Sequence, residues 1–281
     1  MNMRYSFSGH ESFHCKSLWL KKGFDYLRSE KSFNDADSFA LLGVGKNMVA
    51  GIRFWMKAFG LTELDKIQQI ATYLFDDTNG KDPYCEDIAT LWLLHFQLVN
   101  NGIASIYSLG FTEFQRERKE FDREQFHSFI KRKCSVPEQK NVYNENTVKK
   151  DIGVFIQNYV APKDLKQIEN FTSLLIGLNL ILDLGDGKYR FAETDTFRVP
   201  DAILLYALFV IKGDDKVVSF DKIQYLSLLF CMPVNNLLER LIDLQDKYSD
   251  TIHYTDNSGI RNVIFTEGVE AFQLLNLYYS Q

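Results

Sequence analysis

The sequence predicts a mainly α-helical protein built from helix-turn-helix and winged-helix subdomains with short β-hairpin wings. Three observations predict this fold class. Apolar residues recur at helical spacing in most segments of the 281-residue chain. Two helical patterns meet at a glycine turn, Gly43–Gly45, in the outline of a helix-turn-helix. Near the C-terminus, three helical patterns precede a hairpin pattern, which is the order of a winged helix.

The composition is that of an ordinary globular protein with an acidic balance. Hydrophobic residues make up 46% and charged residues 25% of the chain, and its length suits two or three subdomains. A net charge of -5 argues against broad non-specific nucleic-acid binding and favours a partner protein or a confined DNA footprint. No signal-peptide pattern or membrane-spanning apolar run is found, so no membrane partner is expected. The cysteines lack metal-site spacing, which favours a reducing, cytoplasmic setting without disulfides: Cys15, Cys85, Cys134 and Cys231.

The first predicted domain covers residues 1–135. Apolar spacing predicts a helix over Lys16–Leu27 and then the helix-turn-helix over 33–61. Thr62 is a predicted N-cap for a further helix, because apolar residues follow it at helical spacing. The strongly apolar segment Glu86–Asn100 predicts a helix central to the core.

The second predicted segment covers residues 136–198 and follows a polar stretch, Ser135–Asn146, that is the expected boundary. A helix is predicted over Thr147–Tyr159, and one or two more over Asp164–Ile181. An Asp-Gly turn between apolar runs then predicts a β-hairpin over Asp183–Phe191.

The third predicted domain, residues 199–281, has the winged-helix order of three helices and a hairpin. The hairpin is predicted over Thr251–Phe265, and a final helix over Gly268–Tyr279. A winged helix is not proof of DNA binding, since many serve as protein interaction modules. The three helices are predicted over Asp201–Ile211, Phe220–Phe230 and Val234–Lys247.

The second helix of the helix-turn-helix has two different faces. Cations on the face opposite the buried one can reach phosphates without being desolvated in the core. The alternative is an ordinary packed helix pair with a solvated basic face. The buried face is predicted to carry Val49, Ile52, Met56 and Phe59. The predicted DNA contacts are Lys46, Asn47, Arg53 and Lys57, with Arg261 on the C-terminal wing as a secondary contact.

The segment His10–His14 matches the HExxH pattern of zinc peptidases literally. In those enzymes both His bind the metal from one face of a helix. Here the residues before the match predict extended chain, and the remaining His show no third-ligand pattern. No metal site is therefore predicted. The alternative interpretation is a structured turn in which Ser8 or Glu11 caps the next helix.

Two other chemical motifs are incomplete. Gly43–Lys46 suggests a phosphate loop, but Ala40 stands where the leading glycine belongs and Asn47 where Ser or Thr belongs. No ATP site is predicted, and the glycines are expected to permit the tight turn. No PD-(D/E)xK or HNH nuclease pattern stands out. The residues alone therefore indicate no catalytic set for DNA cleavage.

Three segments together resemble one known family: Phe7–Phe13 followed by Trp19–Gly23, Leu42–Val49 with Ile52–Trp55, and Tyr254–Arg261. The family is a bacterial domain of unknown function encoded beside sulfur-transferring enzymes resembling PAPS reductase. It includes the SspB component of single-strand DNA phosphorothioation systems. The resemblance covers nearly the whole chain.

This resemblance implies a role in replacing a non-bridging phosphate oxygen of DNA with sulfur, within antiviral (phage) defence. It implies DNA, the sulfur-transfer enzymes and other phosphorothioation components as partners. SspB-like members are associated with DNA nicking, so the enzymatic status is open, and a divalent metal ion is expected only if the protein is a nuclease. No catalytic residue carries over. His10 and Glu11, which lie in a family-like motif, are the only catalytic candidates.

The predicted function is thus a DNA-binding component of a phosphorothioation system. One alternative is a non-enzymatic adaptor that holds the sulfur-transfer enzymes together, which the acidic balance and aromatic content suit. Another is a winged-helix transcription regulator, which requires a specific operator and a dimer.

Overall fold

Helices make up most of the chain, and small antiparallel sheets complete it. The computed structural model of the protein describes residues 4–139, 141–162, 173–257 and 259–280. The chain forms two compact units, Met1–Ala192 and Glu193–Gln281. The predicted boundary after residue 135 falls inside the first unit, and the one after residue 198 lies close to the start of the second. The division of the chain into these three segments stays a prediction.

The first unit is built around a long apolar helix. The predicted central helix is confirmed as α5, whose residues from Ala89 to Val99 are all buried except Leu91. Helix α6 continues through a π-helical segment, Gly110–Phe114, into α7. The helices are α1 (Trp19–Arg28), α2 (Ser38–Leu42), α3 (Lys46–Ala58), α4 (Gln69–Phe75), α5 (Ile88–Asn101), α6 (Ser105–Leu109), α7 (Gln115–Glu117), α8 (Arg123–Lys133) and α9 (Glu145–Tyr159).

Aromatic side chains fill the core of this unit. Phe114 stacks on Phe126 with ring centroids 4.5 Å apart, and Phe111 lies 5.1 Å from Tyr159. The first pair is stacked and the second is edge-to-face, and contacts of both kinds stabilise the core beyond the burial of apolar area. The core positions α9 against α8 and α6, so that one side of α9 is buried and the other is exposed to solvent.

The helix predicted to start at Thr62 is wrong. Thr62–Glu63 forms strand β1, which pairs with strand β2, Lys66–Ile67, in a hairpin. Leu64 and Asp65 make the two-residue turn, both with positive φ (49° and 61°), as a type I′ turn requires. A left-handed backbone costs about 1 kcal/mol at a residue with a Cβ. Leu and Asp are therefore unusual in such a turn, and the sequence gives no local signal for it.

Both predicted hairpins are confirmed. In the first unit, strand β4 (Ile181–Gly185) pairs with β5 (Lys188–Phe191). Strand β3 (Glu120–Asp122) pairs with β5 on its other side, so the sheet order is β3-β5-β4. The helices predicted over Asp164–Ile181 lie partly on residues 163–172, outside the described residues. The described remainder holds a 3-10 turn, Ile176–Leu178, and the first residue of β4.

The second unit repeats the same order of elements. Among the described residues of each unit, a short strand, two α-helices and two strands follow one another along the chain, and the last strand lies in the middle of its sheet. In the second unit that order is β6-β8-β7, and Val263 of β8 pairs with both Val218 and Tyr254. The elements are α10 (Asp201–Lys212), β6 (Val217–Ser219), α11 (Phe220–Leu229), α12 (Val234–Lys247), β7 (Ile252–Asn257), β8 (Ile260–Phe265) and α13 (Ala271–Tyr279).

Asp201 links two helices of the second unit. Its carboxylate stands at the start of α10, where a negative charge is favourable. It accepts hydrogen bonds from Arg240 and from Lys247 Nζ at 2.6 Å, both on α12, and from Tyr248 Oη at 3.1 Å. These contacts hold α12 against the start of α10. The Asp201 carboxylate therefore helps to determine which side of α12 faces solvent.

Candidate nucleic-acid interface

Helix α3 presents one polar edge to solvent. Gly43, with φ of 63°, is the C-cap of α2, and Gly45 is the N-cap of α3, as the predicted glycine turn requires. The predicted buried face is confirmed, since Val49, Ile52 and Met56 of α3 and Phe59 just after it are all buried, as is Trp55. The exposed residues Lys46, Asn47, Ala50 and Lys57 form what we call the α3 edge.

Three residues of the α3 edge, Lys46, Ala50 and Lys57, line a cleft of about 720 Å³; Asn47 is exposed outside this lining. Lys46 and Lys57 stand toward the two ends of the helix, and the small side chain of Ala50 lies between them. The residues before α2 and the β1–β2 turn also line the cleft: Phe33, Asn34, Asp35, Leu64 and Asp65. The cleft therefore combines two lysines with an acidic and partly apolar lining.

Arg53 is held by a carboxylate of its own unit. Its Nε donates to Asp65 Oδ1 at 2.9 Å and its Nη2 to Asp65 Oδ2 at 2.5 Å, while Nη1 donates to Asn34 Oδ1 at 3.0 Å. This two-pronged pairing with the carboxylate is the strong geometry for arginine. The charge of Arg53 is balanced inside the unit, so Arg53 clamps the β1–β2 turn to α3 and the lysines carry the available positive charge.

The two lysines have looser surroundings. Lys46 Nζ lies 5.3 Å from the centroid of the Phe39 ring, a cation–π contact that leaves its hydrogen-bond donors available. Lys57 is exposed and has no ion-pair partner among the described residues. Of the predicted contacts on α3, Lys46, Asn47 and Lys57 are thus accessible to a ligand.

Arg261 belongs to the second unit and is also paired. It stands opposite Asp256 across the β7–β8 hairpin, and its Nε donates to Asp256 Oδ2 at 2.9 Å. The hydrogen bond and charge of Asp256 raise the pKa of Arg261 above its usual range. Its guanidinium also lies over the Phe220 ring, 5.4 Å from the centroid. Its role in DNA contact stays a prediction.

His10 is buried and uses both ring nitrogens. Nδ1 accepts from the backbone N–H of Ser12 at 3.1 Å, and Nε2 lies 2.8 Å from Asp151 Oδ1. Because an amide N–H points at Nδ1, that nitrogen accepts, and Nε2 is the nitrogen that donates to Asp151. Asp151 also accepts from the backbone N–H of Ser8 at both oxygens, at 2.9 and 3.1 Å. His10 therefore organises the N-terminal turn.

The catalytic role of His10 and Glu11 stays a prediction, and Glu11 shares none of the hydrogen bonds given above for the His10 ring. Glu11 is exposed, with φ of 50°, in the turn that follows His10. The HExxH segment is a turn and not a helix, which agrees with the extended chain expected before it. In the described parts of the chain, no three His, Cys, Asp or Glu side chains are grouped so as to hold a metal ion.

The N-terminal segment Phe7–Phe13 packs directly on helix α3. The His10 ring stacks on Trp55 with centroids 6.1 Å apart, and Trp55 Nε1 donates to the Phe13 carbonyl at 3.1 Å. A Cβ on Gly9 would lie 2.5 Å from the ring of Phe54, so only glycine fits there. We call His10, Trp55 and Asp151 the His10 cluster. This cluster lies on the buried side of α3 and joins α3 to α9.

Sequence reasoning missed Asp151, although one signal was present. On α9 it falls on the same side as the buried residues Val148 and Phe155. A single carboxylate on an apolar helical face indicates a buried hydrogen-bonding role, because an unpaired charge there is costly.

His14 provides a pH-dependent test of this region. Burial lowers the pKa of His14, and the nearby charge of Lys16 lowers it further. Its Nε2 is buried without a hydrogen-bond partner in the described chain. In the unfolded chain His14 titrates near 6.5, so below that pH the unfolded state binds a proton that the folded state does not.

We expect the free energy of unfolding to fall as the pH drops below about 6.5, with a slope from His14 of up to about 1.4 kcal/mol per pH unit. His14→Leu should remove this part of the slope, measured by urea denaturation between pH 7.5 and 5. His253→Leu, at an exposed position on β7, is the control. An unchanged slope in His14→Leu would contradict the assignment.

The outer faces of α9 and α12 carry opposite charge. The exposed residues of α9 include one carboxylate and two lysines: Glu145, Asn146, Lys149, Lys150 and Gln157. On α12, the element that occupies the same place in the second unit, Glu239, Asp243 and Asp246 are exposed. Lys149 is paired with Glu145 at 2.7 Å, which raises its pKa, and Lys150 adds a second positive charge. Sequence reasoning did not single out α9, because its cations are only two.

Fold and site together define a mainly helical protein that presents the cationic edge of one helix at an open cleft. The chain belongs to the family described as protein of unknown function (DUF4007), whose family model matches residues 7–279. The predicted membership of a domain family of unknown function is thereby confirmed.

Two solved structures share the fold. One is described as the SspB crystal structure, with 23% sequence identity and a TM-score of 0.84. The other is the magnesium ion-bound SspB crystal structure, with 24% identity and a TM-score of 0.84. Each comparison covers 98% of this chain and 88% of the other. No curated protein sequence matches this chain significantly. None of its described helices has the length and apolar character needed to cross a membrane.

Proposed function

We propose that this protein is the DNA-binding component of a DNA phosphorothioation and phage-defence system. Its family membership and the fold it shares with SspB structures support the system. The observation that carries DNA binding is the α3 edge, where Lys46 and Lys57 are exposed at an open cleft with Ala50 between them. Exposed lysines bind phosphate oxygens and so position a DNA backbone along a helix.

The spacing of the two lysines suits a short DNA footprint. Eleven residues of α-helix separate them by about 16 Å along the axis. One DNA strand carries a phosphate about every 3.4 Å of axis, so the α3 edge would span about five nucleotides. Such a confined contact agrees with a chain whose net charge is -5.

We also propose that β3–β5 with α8 and α9, and β6–β8 with α11 and α12, are two winged-helix modules. The order of their elements and of the strands in each sheet supports this. In such modules the helix before the hairpin usually contacts the ligand. The cationic face of α9 suits DNA, whereas the acidic face of α12 repels it.

A binding titration tests the proposal. A fluorescently labelled duplex and its single strand are titrated with the full chain from low to physiological salt, with anisotropy as the readout. We expect binding whose logarithm falls linearly with log salt, with a slope near -2 for two or three phosphate contacts. Absence of binding to either DNA at low salt would contradict the proposal. Plasmid nicking with Mg²⁺ or Mn²⁺, run in parallel, tests the associated nicking activity.

The adaptor function is the second candidate, and one surface favours it. Beside the acidic residues of α12, Ile242 is 49% exposed. An apolar residue among carboxylates suits a basic partner protein better than a phosphate backbone. An adaptor without DNA contact predicts no anisotropy change with any DNA, so the same titration distinguishes the two functions. A regulator instead predicts preference for one operator sequence over competitor DNA.

The roles of Arg53 and Lys57 can be separated. We expect Lys57→Gln to reduce the magnitude of the salt slope by about 1, because one phosphate contact is lost. Arg53→Gln should leave that slope unchanged, because its charge is already balanced by Asp65. Titrations of both variants over a range of salt concentrations provide the measurement. An equal loss of slope in both would show that Arg53 leaves Asp65 and binds a phosphate.

A further inference from the structure

We propose that Leu64 is an apolar wedge that enters the DNA base stack beside the phosphates bound by the α3 edge. The proposal rests on the DNA-binding function proposed above and adds a way of opening the stack. It assigns a ligand, stacked bases, to a residue at the tip of the β1–β2 hairpin.

Leu64 is placed where folding does not favour a leucine. Its side chain is 89% exposed, more than Phe197 at 66% or Ile260 at 65%. Its φ of 49° lies in the left-handed region, which favours Asn and Gly. Burial therefore gives no reason for a large apolar residue here, and the backbone gives a reason against one. A residue that is both exposed and strained points to a role outside the folded chain.

The hairpin tip is held rigidly against α3. Asp65, the second residue of the turn, receives two hydrogen bonds from Arg53, and Arg53 is also bonded to Asn34. The backbone that carries Leu64 is thereby held in place before any ligand binds. Rigid presentation lowers the entropy lost on binding.

Leu64 lines the same cleft as the two lysines. A DNA backbone bound by Lys46 and Lys57 would lie next to the Leu64 side chain. Proteins that kink or open DNA insert apolar side chains such as leucine between base steps, while nearby cations hold the phosphates. The cleft brings together an apolar side chain, Leu64, and two cations, Lys46 and Lys57. Displaced bases would face a lining that already includes Phe33 and Phe54.

A duplex that contains 2-aminopurine tests the wedge, because this base fluoresces more strongly when it is unstacked. With the full chain at low salt, we expect a several-fold rise in fluorescence at one or two positions of the probe. Leu64→Asn keeps a residue that suits the turn and should abolish most of the rise. Its affinity should fall by about tenfold at most, because the lost contact and the avoided unstacking offset each other.

Two further variants make the result specific. Leu64→Phe retains a large apolar tip and should keep the rise. Ile260→Asn removes an exposed apolar residue beside the β7–β8 turn and should also keep it. Thermal melting followed by circular dichroism checks that each variant is folded.

The possible failures are distinguishable. A rise in Leu64→Asn equal to that of the wild type overturns the wedge. So does wild-type binding without any rise, which would leave Leu64 as a contact for a partner protein. Absence of wild-type binding to DNA overturns the proposed function itself, and the wedge with it.

Discussion

Reversing the charges of Lys46 and Lys57 together should lower DNA affinity by at least about a hundredfold at low salt. Both side chains are exposed on one edge of α3 and neither is engaged by a carboxylate among the described residues. In Lys46→Glu/Lys57→Glu, two attractions to phosphate become two repulsions. Anisotropy titration with the labelled duplex measures the loss, and the difference should shrink as salt is raised.

A matched variant separates local contact from net charge. Lys119→Glu/Lys216→Glu changes the net charge by the same amount, and both lysines are exposed on other parts of the chain. We expect its affinity to fall by no more than about threefold, through long-range repulsion alone. Equal losses in the two double variants would place the DNA-binding surface elsewhere than the α3 edge.

Arg53 is a poor residue for this test. Arg53→Glu would set a carboxylate against Asp65 and so drive the β1–β2 turn away from α3. A loss of DNA binding in that variant could then come from a displaced hairpin. The lysines reduce this ambiguity, because Lys57 has no ion-pair partner among the described residues and Lys46 contacts α2 only through the Phe39 ring.

Asp151→Ala should lower the free energy of unfolding by about 3 kcal/mol. Removing the carboxylate leaves the Nε2–H of His10 and the N–H of Ser8 without an acceptor. His10 and Asp151 are both buried, so water does not replace these hydrogen bonds freely. Urea denaturation followed by tryptophan fluorescence gives the measurement, since Trp55 stacks on His10.

Lys150→Ala is the matched control for this prediction, because Lys150 is the neighbouring residue on the exposed side of α9. Its effect should stay within about 0.5 kcal/mol. His10→Ala/Asp151→Ala should cost clearly less than the sum of the single variants, because the two residues share one hydrogen bond. An Asp151→Ala variant as stable as Lys150→Ala would show that the His10 cluster does not hold α3 and α9 together.

Much of the fold followed from local patterns. The glycine turn before α3, the helix α5 and both hairpins depend on spacing and turn residues within short segments, and all were predicted correctly. Strand β3 was missed because its three residues are recognisable only by their pairing with β5, far along the chain. The Leu64–Asp65 turn was missed because it lacks the Asn and Gly that usually mark such a turn.

The candidate site was predictable only in outline. Spacing indicated that Lys46, Arg53 and Lys57 share one face of α3, and the structure agrees. It could not indicate that Asp65 neutralises Arg53, because that depends on the hairpin turning back toward the helix. The same limit applies to Asp256, which pairs with Arg261 across a hairpin whose register had first to be known.

By itself, the sequence determined the helical class, the two hairpins, the family and the residues that line one edge of α3, since each depends on residue types within a short stretch of chain. Only the tertiary structure decided which cations remain available and why His10 is buried. The acceptor for His10 stands 141 residues away along the chain. Ion pairs and buried hydrogen bonds between distant segments form only when the core packs. The local spacing of apolar residues in the sequence therefore does not predict them.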